Sequence, residues 1–219
     1  MHGYATQLIN FLAAVLLALS FAMLSQRRIL SLIHLYTLQG VVLVLANLIL
    51  GFVTGDANLY VSAGLTLVLK VGVIPWILYR LVRMLDVRAD VEPLINIPTT
   101  MLIGIVLVII AFTVASPISQ LATSVAHGTL GIALACVLLS FMAMITRAKA
   151  IPQVIGFLSM ENGLFFAATA ATNGMPMIVE LGIGLDVLVG ILILGVFMFQ
   201  IREQFDSLDI HHIEKLRDE

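Results

Sequence analysis

The sequence predicts an all-α membrane protein, a polytopic helix bundle that crosses the bilayer about seven times. Three observations lead to this fold class. Hydrophobic residues make up 61% of the chain, charged residues only 11%, and the apolar runs are as long as a bilayer-spanning helix. Crossing roughly 30 Å of hydrocarbon takes about 20 apolar residues in a helix. No alternating strand pattern competes with these runs, and helices satisfy their own backbone hydrogen bonds in lipid.

Seven apolar runs meet this length criterion. They cover about 5–25, 29–53, 58–82, 97–116, 121–145, 152–173 and 176–201. No basic residue precedes the first run, and Arg27 and Arg28 follow it. We therefore expect a retained anchor rather than a cleaved signal peptide. The single cysteine, Cys136, falls in the fifth run and is expected to be a small buried apolar residue.

The basic residues predict the orientation of the bundle. Apart from Lys70, they follow the first, third, fifth and seventh runs, and the connections on the other side carry none. Loops rich in lysine and arginine stay in the cytoplasm. The sequence therefore predicts an outer N-terminus and a cytoplasmic C-terminus, which requires an odd number of spans.

Two parts of the chain resemble each other. The sequence QRRIL precedes the second span and TRAKAI precedes the sixth. Aligning Ile29 with Ile151 pairs Gln39 with Glu161, each about 15 Å into its helix. Extending the comparison by one span on each side predicts two three-helix units in the same orientation. A chance register among apolar residues is the alternative explanation.

The predicted repeat divides the chain into four parts. An N-terminal three-helix unit covers 1–93, a connecting transmembrane helix covers 94–118, and a second three-helix unit covers 119–205. A cytoplasmic tail follows at 206–219.

Three carboxylates and one lysine fall inside the apolar runs: Glu161, Glu180, Asp186 and Lys70. An ionisable group at the centre of a membrane helix costs about 2.5–3.5 kcal/mol on insertion scales. Glu161 and Asp186 lie at central depth with glycines nearby, which permits close helix packing or a water pocket. The sequence predicts that both are switchable proton sites; the alternative is that each merely pairs helices through a hydrogen bond.

The remaining polar candidates carry weaker predictions. Lys70 is expected either to pair with an intramembrane carboxylate or to snorkel toward an interface. Glu180, four residues past Pro176, is expected near the outer interface. Gln39, His34 and His127 complete the predicted proton pathway, although a lone interfacial histidine is a common alternative. Pro75 is expected to kink the third span just past Lys70.

Several motifs are absent from the sequence. It has no cysteine cluster for iron–sulfur, no haem motif, no glycine-rich nucleotide loop and no nucleophile paired with a base. We therefore expect no catalytic residue, no metal site and no cofactor in this chain, and no nucleic acid among its partners. If an enzyme is involved, the chain is expected to be one subunit of it.

The segment from about 119 to 205, with PQVIGFLSMENGLFFAA around Glu161 and LGIGLDVLVG around Asp186, resembles two small membrane subunits. They are the K-type subunit of respiratory complex I and the C-type subunit of multisubunit cation/proton antiporters. The whole chain looks like hydrogenase-4 component E, a membrane-arm subunit of group 4 nickel–iron hydrogenases that include formate hydrogenlyase. The second acid is usually glutamate in the K-type subunit and is aspartate here.

This resemblance implies a subunit of the prokaryotic cytoplasmic membrane that contributes Glu161 and Asp186 to a proton-translocation pathway. It implies as partners antiporter-like membrane subunits, an H-type membrane subunit and peripheral hydrogenase subunits, with the nickel–iron centre and iron–sulfur clusters in those partners. The electron donor and the choice between H⁺ and Na⁺ stay open.

Two alternatives belong to other classes. The chain could be a structural bundle that links an antiporter-like pump to the complex, with its acids only pairing helices. It could instead be a retinal-type receptor or pump, but Lys70 is on the third span rather than the last, which argues against it.

Overall fold

The computed structural model describes residues 2–84, 94–119 and 124–172, with two isolated positions at 190 and 195. Every regular element in these ranges is a helix. The elements are α1 (His2–Ser25), α2 (Ile29–Thr54), α3 (Ala57–Thr66), a π-helical segment (Leu67–Val73), α4 (Ile74–Met84), α5 (Ile97–Ser119), α6 (Ser124–Ile145) and α7 (Ala150–Thr172). Because α3, the π-helical segment and α4 are continuous, these elements form six rods.

Four stretches are long and apolar enough to cross a membrane: Gly3–Ser25, Ile29–Thr54, Ala57–Arg83 and Ile97–Pro117. A shorter apolar stretch lies within α6, at Thr129–Ile145. The all-helical class is confirmed. The count of seven spans is not, because the described residues form six rods and the predicted run 176–201 lies outside them.

The rods pack as a bundle around α2 and α6. Helix α6 contacts α1, α5 and α7, and α2 contacts α1, α3 and α7. The helices that the predicted repeat makes equivalent, α1 with α6 and α2 with α7, therefore pack against each other. The repeat stays a prediction, since the third helix of its second unit lies outside the described residues.

The corner between α2 and α3 is closed by local capping. Gly55 ends α2 in the left-handed region with φ of 71°, and its N–H donates to the Gly51 carbonyl at 2.9 Å. Asp56 then caps α3 by accepting from the Asn58 N–H at 3.0 Å. Glycine adopts a positive φ without steric cost, so the chain reverses here within two residues.

Two apolar clusters form most of the core. The first, the basic-end cluster, lies where α1 ends and α2 begins and includes Met23, Ile33, Tyr36, Ile74, Leu78 and Leu158. The second, the far-end cluster, includes Ile9, Leu16, Leu43, Leu59, Ala133 and Phe166. On α1, α2 and α7 the two clusters are separated by a short stretch, and that stretch holds buried polar residues.

Candidate functional site

An ion pair between Lys70 and Glu161 lies at the centre of this interval. The Lys70 Nζ donates to Glu161 Oε1 at 2.8 Å and to Asn162 Oδ1 at 3.0 Å. Lys70 is 1% exposed and Glu161 is 4% exposed, so both charges are removed from the surface of the chain. The ammonium also lies 5.3 Å from the centre of the Phe165 ring, where a cation–π contact adds to its stabilisation.

This contact decides between the two roles expected for Lys70. The lysine is thirteen residues from either end of the stretch Ala57–Arg83, and its ammonium faces a carboxylate on α7 instead of an interface. Lys70 therefore pairs within the bundle and does not snorkel. The partner is on the same chain.

The π-helical segment presents Lys70 to α7. At its end the Ile74 N–H donates to the Leu69 carbonyl, five residues back. The next residue, Pro75, has no N–H with which to continue the α-helical ladder, which accounts for the change in hydrogen bonding. The sequence predicts a kink at Pro75, and the local change in the structure is a π-helical segment just before it. Such turns are frequent at functional sites, since they re-aim one side chain.

The ion pair continues into a chain of neutral polar groups. Asn162 Nδ2 donates to Gln39 Oε1 at 3.5 Å, and Gln39 Nε2 donates to Ser20 Oγ at 3.1 Å. The Ser20 hydroxyl donates in turn to the Leu16 carbonyl at 3.0 Å. We call these residues (Ser20, Gln39, Lys70, Glu161 and Asn162) the polar layer. It crosses the bundle from the π-helical segment through α7 and α2 to α1.

The polar layer is closed by apolar residues toward both ends of the bundle. On α2 it lies between Tyr36 of the basic-end cluster and Val42 of the far-end cluster. On α7 it lies between Leu158 and Phe165 of the same two clusters. The hydrogen bonds that join these five residues therefore run sideways across the bundle, while further buried polar side chains (Thr66, Ser62 and Asn47) lie toward the far end.

Close helix packing surrounds the layer. A Cβ on Gly40 would lie 3.1 Å from Val71 Cγ2 and 3.4 Å from Lys70 Cβ. Because glycine has no side chain, α2 packs closely against the π-helical segment at this position. On α7, a Cβ on Gly156 would lie 2.9 Å from the Met144 N, and one on Gly163 would lie 3.0 Å from Val137 Cγ2. The glycines near Glu161 were expected to permit either close helix packing or a water pocket, and the described packing shows close approach of α7 to α6.

The chemistry available here is proton exchange. A carboxylate and an ammonium at hydrogen-bond distance can exist as an ion pair or as a neutral acid and amine, and both forms have zero net charge. Within the described residues no group of three or more histidine, cysteine, aspartate or glutamate side chains could hold a metal ion. The polar layer thus offers a titratable pair with neutral hydrogen-bonding neighbours.

Of the remaining predicted pathway residues, the structure describes the side chain of His34, which lies apart from this pair. His34 is exposed on α2 and contacts Tyr79 of α4 by a hydrogen bond to the phenol and an edge-on ring contact at 5.6 Å. Glu180 and Asp186 lie outside the described residues, and so does the side chain of His127. Their predicted roles stay predictions.

A second buried cation lies at the basic end of the bundle. Arg147 is 2% exposed and follows α6, and its guanidinium donates to the carbonyls of Gln26 at 2.8 Å and of Met23 and Leu24 at 3.0 Å. Burial lowers the pKa of this guanidinium. The contact joins the corner between α6 and α7 to the C-terminal end of α1.

Sequence reasoning missed three contributors to these sites. Ser20 could have been found as a hydroxyl in the middle of an apolar run. Arg147 was counted only as a topological marker, and nothing in its sequence context separates a buried arginine from an exposed one. Nothing in the sequence around Gly40 indicates its role, because that role depends on which helix packs against α2.

Comparison with known proteins finds a relative that matches almost the whole chain. It is 32% identical over 212 residues to the uncharacterized protein Rv0085 of Mycobacterium tuberculosis, and the match covers 96% of each chain. No family model matches the chain, and no solved structure matches it.

Proposed function

We propose that this chain, which belongs to the same family as the Mycobacterium tuberculosis protein Rv0085, is a membrane subunit of a hydrogenase-like or complex I-like assembly. In this proposal the polar layer passes protons, and redox chemistry in partner subunits drives them. The finer topology belongs to the same proposal: seven spans, an outer N-terminus and a cytoplasmic C-terminus in a prokaryotic cytoplasmic membrane.

The observation that supports a proton role is the buried contact of 2.8 Å between Lys70 and Glu161. Placing two ionisable groups in an apolar bundle costs several kcal/mol per group before pairing, and well-packed apolar residues often stabilise such a position better. The pair is therefore weak evidence for a role in stability alone. A proton pathway needs groups of this kind.

The assembly itself is proposed from the resemblance to hydrogenase-4 component E, including its antiporter-like, H-type and peripheral hydrogenase partners. The sideways course of the polar layer suits a subunit that lies between partners. In such a position protons enter and leave through neighbouring chains. Asp186 would continue the pathway from Glu161.

The test uses the assembled complex, purified through a tag on this chain and reconstituted into liposomes. Glu161→Gln keeps the side-chain shape and removes the titratable group. We expect redox turnover to continue while proton uptake per turnover, followed with a pH-sensitive dye, falls about tenfold or more. Wild-type proton uptake in the assembled variant would contradict the proposal.

Ser159→Ala is the matched control. It lies two residues from Glu161 on α7 and breaks a buried hydrogen bond of 2.7 Å to Ser140 of α6, outside the polar layer. We expect this variant to lose some stability and to keep its proton uptake per turnover. Equal losses in the two variants would show that helix packing alone is responsible.

The second candidate function is a structural bundle that links an antiporter-like pump to the complex. It is favoured by one observation: the polar layer joins α1, α2, the π-helical segment and α7 by hydrogen bonds. The double variant Lys70→Met/Glu161→Leu separates the two functions, since it removes both charges together. A scaffold would assemble in lower yield and the assembled complex would couple normally, whereas a proton pathway would assemble and lose coupling.

A further inference from the structure

An open groove on the outer face of α4 is not part of the polar layer. It has a volume of about 690 Å³, and the described residues that line it are Trp76, Tyr79, Arg80 and Arg83. These positions are spaced by three and four residues, so they share one face of the helix. Trp76 is 60% exposed, and both arginines are exposed.

The groove carries positive charge that the described residues do not balance. Neither Arg80 nor Arg83 forms an ion pair with a described carboxylate, whereas Lys70 does. The Arg80 guanidinium lies 5.5 Å from the centre of the Trp76 ring, which holds the cation over an apolar surface. Among the described residues, therefore, no carboxylate pairs with these guanidinium donors.

The position of the groove selects the kind of anion. Arg83 ends the apolar stretch Ala57–Arg83, and Trp76 lies two turns further into it. Tryptophan and tyrosine favour the boundary between hydrocarbon and headgroups. Basic pockets on the cytoplasmic side of membrane helices bind anionic headgroups, and the sequence predicts that this end of the bundle is cytoplasmic.

From this arrangement we infer that the groove binds an anionic phospholipid. The headgroup phosphate accepts hydrogen bonds from Arg80 and Arg83, and an acyl chain packs along Trp76 toward the centre of the membrane. Tyr79 forms the wall of the groove and is held in place by its contacts with His34 on α2. The inference is independent of the proposed proton pathway, but it rests on the proposed topology, which places this end of the bundle at the cytoplasmic surface.

Trp76 provides a direct test, because it is the only tryptophan in the chain. The full chain is reconstituted into phosphatidylcholine vesicles that contain increasing fractions of a lipid with a brominated acyl chain, which quenches tryptophan fluorescence on contact. We expect brominated phosphatidylglycerol to reach half-quenching at a mole fraction about fivefold lower than brominated phosphatidylcholine does. Arg80→Ala/Arg83→Ala should reduce this ratio to about one.

Arg27→Ala/Arg28→Ala is the matched control, since it removes two exposed basic residues at the same end of the bundle but outside the groove. It should keep the preference. A loss as large as that of Arg80→Ala/Arg83→Ala would show attraction by diffuse charge and overturn the inference. So would an unchanged preference in the Arg80→Ala/Arg83→Ala variant.

Three further outcomes would also overturn it. Loss of the preference on addition of inorganic phosphate would identify a site for free phosphate instead of lipid. No preference in the wild-type chain is expected if carboxylates of the following segment, which contains Asp86, Asp90 and Glu92, occupy the arginines. Protection of Trp76 from both lipids in the purified assembly would show that a partner protein covers the groove.

Discussion

The two buried cations, Lys70 and Arg147, are neutralised by different means. Arg147 donates to three backbone carbonyls near the end of α1, whereas Lys70 donates to a carboxylate and a side-chain amide on α7. A helix C-terminus offers unpaired carbonyls and a partial negative charge, but only at the end of a helix. Lys70 lies in the middle of the bundle, where a carboxylate must supply the negative charge.

This difference separates a fixed contact from a titratable one. Backbone carbonyls do not take up a proton at any ordinary pH, so Arg147 has a single arrangement that holds a corner of the bundle. Glu161 can accept the proton that Lys70 gives up, so the pair has an ionic and a neutral form of equal net charge. Burial alone therefore does not distinguish the two cations; the chemistry of the partner does.

The largest effect is expected when one member of the titratable pair is removed. Glu161→Leu removes the carboxylate that faces the buried Lys70 ammonium, and we expect it to lower the free energy of unfolding by about 4 kcal/mol. Denaturant titration of the purified full chain in detergent, followed by circular dichroism, measures this loss.

The double variant Lys70→Met/Glu161→Leu should recover most of that loss, because no unpaired charge remains and both side chains suit an apolar core. Losses from Lys70→Met and Glu161→Leu that simply add in the double variant would contradict a direct pair and leave each residue with a separate role.

Arg147→Ala should have the next largest effect. It leaves the carbonyls of Met23, Leu24 and Gln26 without this donor, and hydrogen bonds to a charged group are worth about 1.5–3 kcal/mol each before relaxation and water access are considered. We expect a loss near 3 kcal/mol in the same titration.

No second substitution can rescue Arg147→Ala, since its partners are backbone atoms; this is the sharpest contrast with Lys70. Arg27→Ala, which removes the same charge from an exposed site, should change stability by no more than about 0.5 kcal/mol. If Arg27→Ala matched Arg147→Ala, net charge rather than the carbonyl contacts would be responsible.

Much of the fold could be predicted because hydrocarbon imposes a length on every span. Apolar runs such as 29–53 and 97–116 coincide with α2 and α5 for that reason. The insertion cost of ionisable groups likewise singled out Lys70 and Glu161. Their pairing could not be predicted, because 91 residues separate them in the chain. Their distance depends on how the π-helical segment and α7 each pack against α2.

The π-helical turn and the burial of Arg147 could not be predicted from the sequence, for a different reason. Pro75 indicated a break in the α-helical ladder, but several local geometries relieve a missing N–H and the tertiary contact with α7 selects among them. Arg147 looks like any loop arginine until the ends of α1 and α6 are known to meet.

Gly40→Ala tests how closely the Lys70 site depends on its packing. The added Cβ would lie 3.1 Å from Val71 Cγ2 and would press on the backbone that carries Lys70. We expect a loss of about 1–2 kcal/mol and, because the 2.8 Å contact is displaced, a partial loss of proton uptake in the assembly.

Gly64→Ala is the control for this change, as a Cβ there meets no atom within 4 Å. It should leave stability unchanged or raise it slightly, since alanine is the better helix former by about 1 kcal/mol. A loss similar to that of Gly40→Ala would mean that the third span tolerates no side chain at either position.

The smallest effect is expected at the far end of the polar layer, and it decides whether the layer acts as one unit. Ser20→Ala removes the acceptor of the Gln39 amide, at a cost of about 1 kcal/mol. If the hydrogen bonds from Ser20 to Glu161 are coupled, Ser20→Ala and Glu161→Gln should be non-additive by about 0.5 kcal/mol or more.

Ser159→Ala combined with Glu161→Gln should be closer to additive, because the Ser140–Ser159 contact lies outside the layer. Additivity in both pairs would confine the titratable site to Lys70, Glu161 and Asn162 and would leave Ser20 as a helix contact. Non-additivity in the first pair alone would mean that a change of protonation at Glu161 alters the interactions of α1. Arg147 also contacts α1, but its partners are backbone atoms, so it cannot couple a change of protonation to that helix.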